Sequence, residues 1–421
     1  MILIFVEQVT NRLRYTLDFI FNARGFNYEL TTDITYFTAA NARKFNYSNR
    51  SFEGIPTVTP CNLLFEEGID AIALDKVCFE DLEIMSFNQI PDLLASIFFV
   101  LSRYEEYWVS ERDAHDRFPA VCSMQSVYGW LNEPICDRWA ISLLTFIGIP
   151  LTPNVEFKIQ PTFDIDSTFA YREKGLLRNM AGTIRDVSKG KIARVKERFQ
   201  VLSNTRKDPF DTFDRIKALT VNYPDTRCFW LMADYGSYNK NLAFNNTKQR
   251  EIIKDIATRC EIGIHPGYDS YTSAKPLALE ISRLSAVLEK PVTFSRQHFL
   301  RVRIPETYTL LVEQRIKEDY SMGYAETTGF RMGTARKTAW FDLRTNEITG
   351  LMFQPFCYMD GTLNEYLKLC PEQAIQEVRE LKRVVKEFGG TFSFIWHNET
   401  LGFKQHWAGW ELVFEESISY S

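Results

Sequence analysis

Hydrophobic residues along this chain change their spacing near residue 155, and the two sides of that point predict different architectures. Beyond it, short apolar runs alternate with longer stretches of helical periodicity, the pattern of a parallel succession of strands and helices. Seven runs read as strands: Phe157–Phe163, Cys228–Ala233, Cys260–His265, Val292–His298, Asp319–Tyr324, Gly350–Phe356 and Thr391–His397. Helical spacing is clearest between them at Lys248–Ala257, Lys275–Glu289, Pro305–Ile316 and Pro371–Phe388, the last closed by Gly389 and Gly390. The expected fold class is α/β, with residues 156–421 forming a seven-stranded (β/α) barrel-like domain. Residues 1–155 read as a smaller α+β domain. It opens with a strand at Met1–Val6, continues through short strands and loops in Asn27–Tyr36 and Ile55–Leu64, and reaches a helix-like segment, Ile90–Tyr107, and a charged loop, Glu111–Arg117.

The longest apolar run, Leu93–Leu101, is about half of the ~20 residues needed to span a bilayer. The five apolar residues after Met1 fall short of the ~7–15-residue core of a secretory signal. A cytoplasmic protein without a membrane span is therefore expected. Composition narrows the partners: 49 basic against 54 acidic residues leave a net charge of −5, which gives no general pull toward nucleic acid or an anionic membrane. The eight cysteines form no Cys-x-x-Cys pair and read as mostly reduced core thiols.

In parallel α/β architectures, ligands sit at the carboxyl ends of the strands, where the loops converge. The polar residues expected at those ends are Asp164, Asp166, His265, Arg296, His298 and His397. Asp164 and Asp166 follow an apolar run as a pair, a common seat for metal or acid/base chemistry, and an N-cap role would use only one of them. His265 precedes Pro266-Gly267, a tight turn suited to a rigid metal ligand, with Asp269 close in sequence. Arg296 and His298, two apart on a strand, face one side, so one can orient a carboxylate while the other binds metal. His397 ends the last strand, where it can donate a proton to a leaving group. Glu105, Glu106 and His115 lack a partner in the sequence and read as structural.

Several of these stretches follow the order of motifs in a known family. T-F-D-I-D, E-I-G-I-H-P-G-Y, S-R-Q-H-F-L and F-I-W-H-N lie in order across residues 157–400, joined by D-Y-S-M-G-Y-A and G-F-R-M-G-T. Together they resemble the polysaccharide deacetylases, in a divergent bacterial branch with an extra amino-terminal domain. The resemblance implies a divalent metal ion, zinc by default, and removal of N-acetyl groups from a sugar or glycan precursor. It implies Asp164 as base, Arg296 as its partner and His397 as acid, with Asp166, His265 and His298 as ligands. Tyr268 and Trp396 become candidate sugar contacts. The chain departs from the pattern where Ile165 separates the two aspartates and where Asp269 replaces a second histidine. Asp269 is thus the alternative third ligand, with His298 preferred because imidazole is the family's ligand type. Two other readings remain: a non-catalytic carbohydrate-binding barrel, and a haloacid-dehalogenase-like phosphatase whose Asp-x-Asp-x-Thr opening matches Asp164 to Thr168. The late acidic pair of that phosphatase family is missing from the seventh strand.

Overall fold

A computed structural model describes residues 1–79, 81–149 and 156–420; the boundary expected at residue 155 lies outside the described residues. Near the amino terminus, β1 (Ile2–Val6), β2 (Tyr28–Thr31), β3 (Arg43–Tyr47) and β4 (Thr57–Val58) form a parallel sheet ordered β2-β1-β3-β4. The five residues of β1 are all apolar and all buried, as a central parallel strand covered on both faces requires. β5 (Leu74–Phe79), β6 (Leu82–Phe87) and β7 (Ile90–Pro91) make a separate antiparallel sheet. The expected helix Ile90–Tyr107 is shorter than its apolar pattern. Asp92 caps a fully buried helix over Leu93–Leu101, and Arg103, at φ 55°, breaks it before a 3-10 turn at Tyr104–Tyr107.

The larger sheet contains β8 (Phe157–Ile165), β9 (Arg227–Leu231), β10 (Glu261–His265), β11 (Phe294–Ser295), β12 (Glu318–Asp319), β13 (Thr338–Asp342), β14 (Glu347–Phe353) and β15 (Gly390–His397). Their order is β13-β14-β12-β11-β10-β9-β8-β15. Each of the seven predicted strands is represented, but among the described residues the sheet has eight. The addition is β13, which turns back antiparallel on β14. Its apolar core, Ala339-Trp340-Phe341, is too short between Lys337 and Asp342 to announce a strand.

Past β14 the chain crosses from one side of the sheet to the other. Gln354 N donates to Asp319 O and Phe356 N to Met322 O, whereas Cys357 N donates to Ser393 O on the far edge strand, β15. This crossing curls the sheet into a barrel-like shell. Side chains alternate across it: along β8, Phe163 and Ile165 join the outer core beneath the helices, while Thr162 and Asp164 face inward.

The four predicted helices are found at Thr247–Ala257, Ala274–Leu288, Glu306–Glu313 and Pro371–Phe388. The last starts at Pro371, and the Gln373 side chain accepts from Cys370 N. Its buried Ala374, Val378, Leu381 and Val385 recur every three or four residues against the barrel. No helix among the described residues is long and apolar enough to cross a membrane.

The amino-terminal part packs on the segment between β12 and β13. Cys136 N donates to Gly333 O and Phe330 N to Leu131 O. A Cβ on Gly333, which sits at φ 62°, would come within 2.8 Å of Cys136 Sγ, so this approach requires glycine. The contact is locked by buried charges. Arg103 Nε lies 2.8 Å from Glu106 Oε1, and Arg331 Nη2 lies 2.5 Å from Glu106 Oε2. Despite full burial, the two guanidinium groups hold the Glu106 carboxyl down at about 2. Glu106 thus has the partners that its sequence neighbourhood did not reveal.

Replacing Glu106 with alanine strands the buried Arg331 guanidinium and leaves Arg103 with Glu105 as its remaining ion pair. Glu106→Ala should lower the unfolding free energy by about 3–5 kcal/mol, read from urea denaturation.

Candidate functional site

The inward residues at the carboxyl ends of β8, β10 and β15 converge on one cleft of about 190 Å³. His265 ends β10, and its Nδ1 donates to the Arg296 carbonyl at 2.6 Å, leaving Nε2 as a bare lone pair facing inward. His298 lies in a 3-10 turn beyond β11, and its Nε2 donates to the Tyr238 carbonyl at 3.3 Å, so Nδ1 faces inward. These two inner nitrogens are 3.0 Å apart. Asp166 Oδ1 lies 3.2 Å from the first and 3.5 Å from the second. That oxygen is buried and has no hydrogen-bond partner.

With both imidazoles neutral, three lone-pair atoms this close repel unless a cation sits among them, and the three candidate ligand atoms all lie within 4.8 Å of one another. The residues therefore fit a divalent ion, and an Asp/His/His set suits zinc-type coordination. Burial pushes His298 down to about 4, which favours its neutral, ligating form. Burial also disfavours charge on His265, but Asp164 and Asp166 outweigh it and raise that imidazole above its ordinary value.

Arg296 organises the second half of the site. Fully buried, its guanidinium donates from Nη1 to Asp164 Oδ1 at 2.9 Å and from Nε to the Tyr320 carbonyl at 2.9 Å. It lies 4.4 Å from the centre of the Phe229 ring. A Cβ on Gly263 would meet that ring at 2.7 Å, so glycine in β10 makes room for the ring that carries the arginine. Asp164 Oδ2 is left facing the cluster, 3.8 Å from His265 Nε2.

His397 lines the same cleft and is held by Asp360, a residue the sequence reading missed. Asp360 Oδ1 accepts from His397 Nδ1 at 2.8 Å, and Oδ2 accepts from the His397 backbone at 2.9 Å and from Thr400 Oγ1 at 2.6 Å. Burial alone would lower the His397 imidazole, but Asp360 holds it well above its ordinary range. Asp360 precedes Gly361 in a segment with no strand or helix periodicity, so its one legible signal was a turn. Glu399, raised to about 7 by burial and the nearby Asp166, also lines the cleft.

Three expected contacts fall elsewhere. Asp269 has a side chain 90% exposed near Arg301 and does not join the metal cluster. Trp396 is fully buried on the outer face of β15 against Phe414 and Trp407, where alternation puts the neighbour of an inward His397, so it cannot stack on a sugar. Tyr268 stacks on Tyr238 at 4.0 Å behind the cleft, and its hydroxyl contacts His115 Nδ1 at 3.0 Å. Tyr268 and Tyr238 both pack edge-on to Phe299. Phe299 and Leu300, at φ 58° and 55°, are consecutive left-handed residues after His298. Each costs about 1–3 kcal/mol, and the aromatic set around Phe299 offsets that strain to aim His298 inward. Arg117, from the charged amino-terminal loop, also lines the cleft and reaches the Phe299 carbonyl at 3.3 Å.

Residues 2–148 match a family of unknown function, DUF7033. No curated protein matches the chain. Among solved structures, one assigned as a polysaccharide deacetylase from Mycobacterium smegmatis is 16% identical, with 64% of this chain and 85% of that chain covered at a TM-score of 0.39. Puue allantoinase is 11% identical, with 66% of this chain and 89% of that chain covered at a TM-score of 0.36.

The Asp360–His397 pair carries a definite pH signature. His397 is raised, so its contribution is full below the unfolded value of about 6.5 and fades as pH rises through the folded value. Asp360 is lowered, so its contribution is present above about 3.9 and is lost as pH falls through its folded value. The Tm difference between the native chain and Asp360→Asn should be largest near pH 4–6.5, about where both conditions hold, and shrink as pH rises further. Calorimetry across pH checks this, and the His397 imidazole of the variant should titrate at lower pH by NMR.

Proposed function

We propose that this chain is a metal-dependent hydrolase that removes N-acetyl groups from a sugar or glycan precursor. The observation that carries the reading is the convergence of bare His265 Nε2, His298 Nδ1 and orphaned Asp166 Oδ1 beside an arginine-held Asp164. The motif resemblance to polysaccharide deacetylases supplies the substrate class, an N-acetylated sugar.

Asp166, His265 and His298 would hold the ion, with zinc as the default for this donor set. When bound, the ion supplies Lewis-acid polarisation of an acetyl carbonyl and makes hydroxide available near neutral pH. Asp164 acts as general base through Oδ2, the oxygen that Arg296 leaves unpaired. Arg296 fixes that carboxylate in position and, through its carbonyl, fixes the tautomer of His265. His397 lends its proton to the departing amine. Asp360 occupies Nδ1, so the proton is given from Nε2, and the carboxylate keeps the imidazole charged until transfer. A non-catalytic sugar-binding role would need neither an Arg-held base nor an Asp-held acid.

Elemental analysis of the purified chain should find about one divalent ion per chain. His265→Ala should lose both the ion and turnover of N-acetylated sugars, read as acetate release. A variant that kept full activity would overturn the ligand assignment. Asp164→Asn should retain the ion while its kcat falls by about 10²–10⁴-fold.

A further inference from the structure

A helical hairpin beside the cleft is built with its polar side inward. Its helices span Gly175–Ser188 and Ile192–Leu202. Between them, Arg198 Nη2 meets Asp186 Oδ2 at 2.6 Å and Arg198 Nη1 donates to Thr183 Oγ1 at 2.9 Å. Asp186, Glu197 and Arg198 are buried. The outward surface is apolar instead. On the first helix Leu176, Leu177, Met180, Ile184 and Val187 recur at three- to four-residue spacing and are 51–82% exposed. On the second, Ile192, Phe199 and Leu202 are exposed at 44–62%, with Ile192 and Phe199 two turns apart on one face. Eight large apolar side chains on one hairpin exceed scattered surface hydrophobicity and mark a surface that meets an apolar phase.

Charge identifies that phase. Residues 172–207 contain eleven Lys and Arg against three Asp and Glu, in a chain whose net charge is −5. Arg185, Lys189, Lys191 and Lys196 are exposed on the same hairpin as the apolar stripes. Apolar stripes bordered by cations are the signature of helices that lie in the plane of an anionic bilayer, with side chains in the acyl boundary and cations among the headgroups. A groove of about 550 Å³ between hairpin and barrel rim is lined by Lys174, Arg178, Arg194 and Lys404. It shares Glu365, Glu399, Thr400 and Trp407 with the candidate cleft, so the groove beside the hairpin opens into the site.

We propose that the hairpin Gly175–Leu202 docks this protein on an anionic lipid surface, with the candidate active site opening beside the headgroups. The bulk net charge conceals this surface because the basic excess is confined to the hairpin and the residues flanking it, 172–207. The proposal stands on the hairpin alone and is independent of the reaction assigned to the cleft.

Co-sedimentation of the full chain with vesicles tests it, using phosphatidylcholine alone or mixed with phosphatidylglycerol. The chain should bind the mixed vesicles, bind phosphatidylcholine alone far more weakly, and be released by raised salt. Lys189→Glu/Lys191→Glu/Lys196→Glu should weaken partitioning by about a hundredfold or more. Leu177→Ser/Ile184→Ser/Phe199→Ser should abolish it, with circular dichroism and Tm unchanged because these side chains face solvent. No binding by the native chain, equal binding by both variants, or equal binding to both vesicle types would overturn the proposal. So would a native dimer, by light scattering without vesicles, that the serine variant converts to monomer.

Discussion

A fully buried guanidinium inside the barrel holds the candidate site together. Arg296 uses its side chain to fix Asp164 and its own carbonyl to fix the tautomer of His265. One residue therefore determines which oxygen of Asp164 is available and which nitrogen of His265 is bare. Such a charge is tolerable in the interior because it is paired, bonded to the Tyr320 carbonyl and seated against the Phe229 ring. The requirement spreads outward: Phe229 needs the space that Gly263 leaves, and Gly263 belongs to the strand that ends in His265.

The cleft is also shaped by the amino-terminal part. Arg117 and His115 come from its charged loop and brace the Phe299 turn and Tyr268, while Glu106 clamps Arg331 on the barrel side. The residues matching a family of unknown function thus end short of a neighbourhood that their own packing helps to form. Strain at Phe299 and Leu300 lies where these supports meet, directly after a candidate ligand.

Much of the barrel was legible because parallel strands covered on both faces read as continuous apolar runs, and amphipathic helices keep their period. All seven runs contribute to the large sheet, two of them only through Phe294–Ser295 and Asp319, because the rest of each turns into the loops around the cleft; β13 did not announce itself because a three-residue apolar core has no measurable period. The polar residues ending β8, β10 and β15 stood out for the same reason: a charged or imidazole side chain interrupts an apolar pattern. Trp396 misled because adjacent residues of a strand are neighbours in sequence but lie on opposite faces.

By itself, the sequence determined the α/β class, the succession of strands and helices, and the candidate residues Asp164, Asp166, His265, Arg296, His298 and His397. These follow from local periodicity, which depends on near neighbours along the chain. Only the tertiary structure decided that His298 and not Asp269 joins the cluster, that Asp360 holds His397, and that the apolar stripes of the Gly175–Leu202 hairpin face outward. Each of those outcomes is set by contacts between residues far apart in sequence, or by which side of an amphipathic element finds a partner. A periodic pattern states that a helix has two faces, and packing alone settles which one is covered.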